Sequence, residues 1–169
     1  MGFRLPVNYD FGTAEVVPSI RPGRTKESQA EYADAVADRY TGDGPRVCVT
    51  IKVKTKNPTN NLRHWRTLSK EANEQKEAAT LALLDVPPWR WVQMETGCVV
   101  TLTRISAGRL DSDNLRAALK HIKDAVAVKL FGGTLGQRDD DDRATWRYGQ
   151  ILGPRGHYAV IVSIVRRGT

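Results

Sequence analysis

The sequence predicts an α/β (α+β-like) fold: a small mixed β-sheet packed with two helices in the order β-α-β-α-β-β, behind an N-terminal extension. Three observations carry that expectation. Apolar residues alternate through 46–54 and recur in short runs at 97–105 and 157–166, as strands require. Two longer segments, 61–84 and 112–131, repeat their apolar residues at helical spacing. Breakers separate these runs: Pro87-Pro88, Gly132-Gly133 and Gly153-Pro-Arg-Gly156.

Residues 1–45 form the extension, and 46–169 the body. Pro6, Gly12, Pro18, Pro22 and Gly23 interrupt any long element in 1–25. Residues 28–40 suit a short helix with Ala33, Val36, Ala37 and Tyr40 inward, and Thr41-Gly-Asp-Gly-Pro45 is a linker. In the first strand of the body Val47, Val49, Ile51 and Val53 share one face, with Lys52 and Lys54 on the other. The first helix buries Leu62, Trp65, Leu68, Ala72, Ala79 and Leu83, and Pro87-Pro88 ends it. A strand follows at 97–105. The second helix, 112–131, buries Leu115, Leu119, Ile122, Val126 and Leu130, and Gly132-Gly133 stops it. The last two strands, near 144–151 and 157–166, are expected to pair as an antiparallel hairpin across Gly153-Pro-Arg-Gly156.

Composition narrows the function. A chain of 169 residues that is 40% hydrophobic and 27% charged is an ordinary globular domain, not a disordered one. No apolar run reaches the roughly 18 residues of a membrane span. MGFRLPVNYDFG lacks the apolar core of a secretory signal, so a cytoplasmic setting is expected. Cys48 and Cys98 are too few for a disulfide framework or a zinc site, and read as buried free thiols. His64, His121 and His157 are dispersed. There is no P-loop, no GxGxxG after a strand and no GxSxG, which excludes a nucleotide cofactor and serine-hydrolase chemistry. Trp65, Trp89, Trp91 and Trp146 read as core or dimer-interface residues, with base stacking by Trp89-Arg90-Trp91 as an alternative.

Charge is uneven. Lys+Arg number 26 against 19 Asp+Glu, a net +7. Residues 1–45 hold 5 basic and 7 acidic residues, whereas 46–169 hold 21 and 12, seven of the acids lying between Asp111 and Asp142. A basic body with one acidic window suits a polyanion partner and a cation site facing it; a soluble basic protein with an acidic loop has the same composition.

The key segment is Asp111-Ser112-Asp113-Asn114-Leu115, between strand and helix. Two carboxylates two residues apart diverge along a strand or helix but can converge at a turn, where they can ligate one hard cation such as Mg²⁺ through oxygen. Helix capping competes with that reading, and explains one Asp fully without requiring the second. An EF-hand loop begun at Asp111 fails, because Arg116 falls on the turn glycine and Ile122 on the final acid. The second acidic element, Asp139-Asp140-Asp141-Asp142, precedes a strand. If the start of that strand lies beside the end of strand 97–105, a third carboxylate joins the pair, as metal-assisted phosphodiester hydrolysis requires.

These motifs resemble the RusA family of Holliday junction resolvases, many of them encoded by phages and prophages. The resemblance rests on Asp111-Ser-Asp113-Asn-Leu, a helix carrying Lys and then Asp, a Gly-rich loop, and an Asp-Asp pair entering a strand. Asn61-Leu-Arg-His-Trp65-Arg66 adds the family's aromatic-Arg segment at the first helix. The match covers roughly 46–166. It implies a homodimeric, Mg²⁺-dependent (Mn²⁺ possible) endodeoxyribonuclease of DNA recombination and repair, cutting branched DNA with paired nicks. It implies that Asp111 and Asp113 are metal ligands, with Asp139 or Asp140 as the third; counting back from Trp146 favours Asp139, and counting by the acidic pair favours Asp140.

One departure stands out. The family often carries Lys three residues after the Asn, where this chain has Ala117; Lys120 and Asp124 keep the Lys-x-x-x-Asp spacing one helical turn later. Lys120 is therefore the expected charge stabiliser, with Arg116 and Lys123 placed to either side of the Asp113 face. Lys52, Lys54, Lys56, Arg63, Arg66, Arg109, Arg116 and Lys123 are the expected phosphate contacts, in a bacterial or phage-infected cytoplasm. The competing functions are a catalytically inactive DNA-binding module of the same fold and a phage interaction protein.

Overall fold

The computed structural model describes residues 46–56, 65–94, 96–133 and 141–167. The expected extension 1–45, with its helix at 28–40, lies outside the described residues, as do Arg63, His64, Asp139 and Asp140. The elements in chain order are β1 (Arg46–Ile51), α1 (Trp65–Leu84), α2 (Pro88–Val92), β2 (Cys98–Ser106), α3 (Ser112–Phe131), β3 (Ala144–Leu152) and β4 (Ala159–Arg166). The four strands make one mixed sheet in the order β1-β4-β2-β3. Val47, Ile51, Val100, Leu102, Val160, Val162 and Ile164 alternate onto a single face, where Ala79 and Leu83 of α1 and Leu115, Leu119, Ile122 and Val126 of α3 cover them. No helix among the described residues is long and apolar enough to cross a membrane.

The expected hairpin does not form. β3 pairs in parallel with β2, from Cys98↔Ala144 to Ser106↔Leu152, and β4 runs antiparallel between β1 and β2. Burial explains the choice. Val160–Ile164 is buried throughout, so β4 needs neighbours on both sides. β3 exposes Thr145 and Arg147 and takes the edge, where polar residues protect an open strand. The connection 153–158 crosses the end of β2, with the Gly153 N–H donating to the Ser106 carbonyl at 2.9 Å. A Cβ on Gly153 would lie 3.0 Å from the Ile105 side chain, so the crossing is tight.

Three smaller differences follow from local chemistry. β1 ends at Ile51, so Lys52 and Lys54 lie beyond the ladder. α1 ends at Leu84, ahead of Pro87-Pro88 as expected, but Pro88 also opens the short helix α2, at a position where a missing N–H is harmless. Cys98 is buried as expected, but Cys48 points from β1 away from the helices and is exposed.

Candidate functional site

Because β1 and β2 are both antiparallel to β4, and β3 is parallel to β2, three strands run the same way. Their carboxyl ends meet the N-terminus of α3, which is where ligands bind in open α/β sheets. An open cleft of about 460 Å³ lies there, lined by Arg109, Leu110, Asp111, Ser112, Leu115 and Gln150.

The cap comes first. Asp111 is the N-cap of α3: its Oδ1 accepts the Asn114 N–H at 2.9 Å, and its Oδ2 accepts Asn114 Nδ2 at 2.7 Å. Both of its oxygens thus bond Asn114, and its carbonyl accepts the Leu115 N–H. Asp113 sits in the first turn, exposed, with no hydrogen bond or ion pair among the described residues. Both acids suit the positive end of the helix dipole.

The loop ahead of the cap is held from two sides. Gln150 of β3 clamps Leu110: its Oε1 accepts the Leu110 N–H at 2.9 Å, while its Nε2 donates to the Leu110 carbonyl. Arg104 of β2 donates through a terminal nitrogen to the Gly108 carbonyl at 2.7 Å, and through Nε to Thr55 Oγ1 at 3.0 Å. Arg104, Gln150 and Thr55 were not expected from the sequence. The available signal was a charge at 104 in line with the core-facing Cys98, Val100 and Leu102.

The expected cations divide. Lys52 and Lys54 are exposed at the exit of β1, Lys54 lying 4.5 Å from the Tyr158 ring centroid. Lys56 is ion-paired with Glu71 of α1. Arg66 is exposed in the first turn of α1, and Arg109 on the rim of the cleft. Lys120 stands 3.7 Å from Asp124, the expected i, i+4 partner. Arg116 and Lys123 do not flank the Asp113 face: both turn toward β3, over the rings of Tyr148 at 5.8 Å and Trp146 at 5.3 Å. Offsets of three and ten residues put them on the same side of a helix with 3.6 residues per turn. Trp91 is core, with its indole N–H donating to the Val86 carbonyl, and only Trp89 of that pair is exposed, under Arg90.

The start of β3 does not lie beside the end of β2. Parallel pairing sets it against the start, where the Cys98 N–H donates to the Arg143 carbonyl at 2.8 Å. Asp141 there accepts Arg143 Nε at 2.9 Å and a terminal nitrogen at 2.7 Å, a bidentate local pair. Among the described residues no three Asp, Glu, His or Cys side chains come together as a metal-binding group. The third expected ligand, Asp139 or Asp140, lies outside the described residues.

No protein-family model matches the chain, and no curated protein matches it.

Proposed function

We propose that this chain is a RusA-like, divalent-metal-dependent endonuclease acting on branched DNA, four-way junctions first. The observation that carries the proposal is the pair at the head of α3: Asp111 locked by its cap bonds, and Asp113 exposed beside it with no partner among the described residues. Carboxylate oxygens are hard donors, and Mg²⁺ is commonly held by one or two carboxylates with its other positions left to water and phosphate. The pair therefore fits Mg²⁺ or Mn²⁺, with the remaining positions left to water and phosphate. The third ligand that the resemblance implies, Asp139 or Asp140, precedes Asp141 at the opposite end of β2 and is not part of this pair's proposed ligand set within one chain. When bound, the ion would offset charge on the scissile phosphate and lower the pKa of a water at the site.

The chain's own groups do the rest. Asn114 fixes the Asp111 carboxylate in one orientation. Asp124 holds the Lys120 ammonium, seven residues from Asp113 on nearly the same side of α3, where it can meet developing charge on a phosphate oxygen. Lys52, Lys54, Arg66, Arg109, Arg116 and Lys123 position duplex arms through phosphates without reading sequence. Arg63 is assigned the same role, and Lys56 shares it once it leaves Glu71. A junction has two equivalent scissile strands, which a C2 homodimer serves with one interface.

The test is a labelled synthetic four-way junction incubated with and without Mg²⁺. Paired nicks that disappear with EDTA are the expected result. Salt-dependent binding without cleavage would favour an inactive DNA-binding module of this fold, a reading that the displaced lysine supports. DNA affinity that is absent, or flat between about 50 and 200 mM salt, would favour an interaction protein.

A further inference from the structure

Arg104 occupies a core-facing position of β2, and only 7% of it is exposed. Burying a guanidinium is costly unless its donors are met or its charge is paired. No carboxylate pairs with it among the described residues. Its donors are met by backbone and hydroxyl oxygens: Thr55 Oγ1 at 3.0 Å, the Thr55 carbonyl at 3.5 Å and the Gly108 carbonyl at 2.7 Å. Burial pulls its pKa below the usual arginine value, with nearby Tyr158 opposing the shift. Gly108 is held a second time, since its carbonyl also accepts the Ser106 hydroxyl at 2.8 Å. Thr55 is itself only 3% exposed, so this anchor is as fixed as the guanidinium.

The geometry is that of a tie. Thr55 follows β1 at the end of the basic stretch Lys52–Lys54, and Gly108 begins the loop that delivers Asp111 to the head of α3. A planar guanidinium fork holds two separate partners at once, whereas a single ammonium is a point charge on a flexible stem. We propose that Arg104 is a positioning residue: it latches the Asp111 loop to the exit of β1 and sets the spacing between the acidic and basic halves of the site before any ligand arrives. The inference rests on the proposed nuclease site, but the latch is measured without it.

The experiment is amide hydrogen exchange on the full chain, read in the peptide 107–115, for the wild type, Arg104→Met, Arg104→Lys and Thr55→Val. An Mn²⁺ titration followed by electron paramagnetic resonance accompanies it. In Arg104→Met, the Leu110 and Asn114 amides are expected to exchange about ten-fold faster or more, while β4 amides at 160–164 keep their protection. Thr55→Val moves the loop the same way by a smaller factor, and Arg104→Lys does not restore it. Mn²⁺ affinity falls about ten-fold in Arg104→Met, the scale on which residues that orient ligands act. Thr55→Val leaves the guanidinium in place and carries the test if Arg104→Met does not fold. Unchanged loop exchange, equal acceleration throughout β4, or full rescue by Arg104→Lys would each overturn the latch. A wild type that binds no Mn²⁺ while its loop responds as described removes the nuclease proposal and leaves the latch standing; tight Mn²⁺ binding with an unresponsive loop does the reverse.

Discussion

At the carboxyl end of β2 an aspartate caps a helix; at its amino end another aspartate closes a turn, and the two finish differently. Asp141 has both carboxylate oxygens on the Arg143 guanidinium, whose other side covers the Phe131 ring at 4.4 Å. Its charge is offset within two residues and serves the turn that starts β3. Asp111 is bonded to amide N–H groups of Asn114, which orient it without cancelling its charge. Asp113 beside it has no cation partner among the described residues, although Arg109 and Lys120 are exposed nearby in sequence. About 30 Å of helix separates the two ends. A carboxylate whose nearest cation is its own turn neighbour is structural. One held by neutral amides at a helix N-terminus keeps its charge available to a cation from solution.

Removing the exposed charge at the head of α3 should cost the most. Asp113→Asn should lower Mg²⁺-dependent junction cleavage by about a hundred-fold or more. Junction binding should hold or tighten, because a charge that repels phosphate is gone. Asp142→Asn, at another exposed acid near the other end, should cleave normally. Gel assays of cleavage and binding on the same junction decide both, and equal losses in the two variants would erase the contrast.

Asp141→Ala should act in the opposite sense. It leaves Arg143 without its bidentate partner and should cost about 1–3 kcal/mol in urea denaturation, with cleavage per folded molecule unchanged. Asp111 combines the two behaviours. Asp111→Ala should cost about 1 kcal/mol through loss of the cap, whereas Asp111→Asn keeps an acceptor and should cost only a few tenths. Both should lose cleavage. An Asp111→Asn variant that cleaves like wild type would make this residue a cap and nothing more.

Two weaker effects are expected away from the site. Burial holds the His121 imidazole below the ordinary histidine value, Lys76 of α1 and Lys120 reinforcing the shift and Asp124 opposing it. The folded protein keeps this ring neutral, so its contribution to stability is whole above about 6.5, the unfolded value, and is lost as pH falls through the lower folded value. Thermal melts from about pH 7.5 to about pH 5 should therefore decline less steeply for His121→Phe than for wild type. Burial also pushes the Cys98 thiol up to about 11, with Arg167 opposing. Alkylation of the folded protein near pH 8 should modify Cys48 and spare Cys98; two labelled thiols would show that the start of β2 opens readily.

Much of the fold was legible because it is local. The stop at Gly132, whose positive φ of 72° and N–H bond to the Val128 carbonyl end α3, follows from a glycine after a helical run. The Asp111 cap and the Lys120–Asp124 pair follow from spacing along one helix. The carboxylate pair was legible for the same reason, since two residues of one turn share one environment. The latch was not. Arg104, Thr55 and Gly108 are distant or unremarkable in sequence, and only packing brings a guanidinium under the loop.

The six principal elements of the body, the head of α3 with its two aspartates, and the apolar stripes that pack α1 and α3 on the sheet are encoded locally. Backbone preference and side-chain period set these within a few residues of chain. The strand order, and with it which end of β2 faces the start of β3, depends on long-range packing. A Gly-Pro-Arg-Gly turn permits a hairpin or a crossing equally. The outcome turned on which strand could be buried on both sides, and β4, with Val160–Ile164 apolar but for Ser163, took the interior while β3 took the edge.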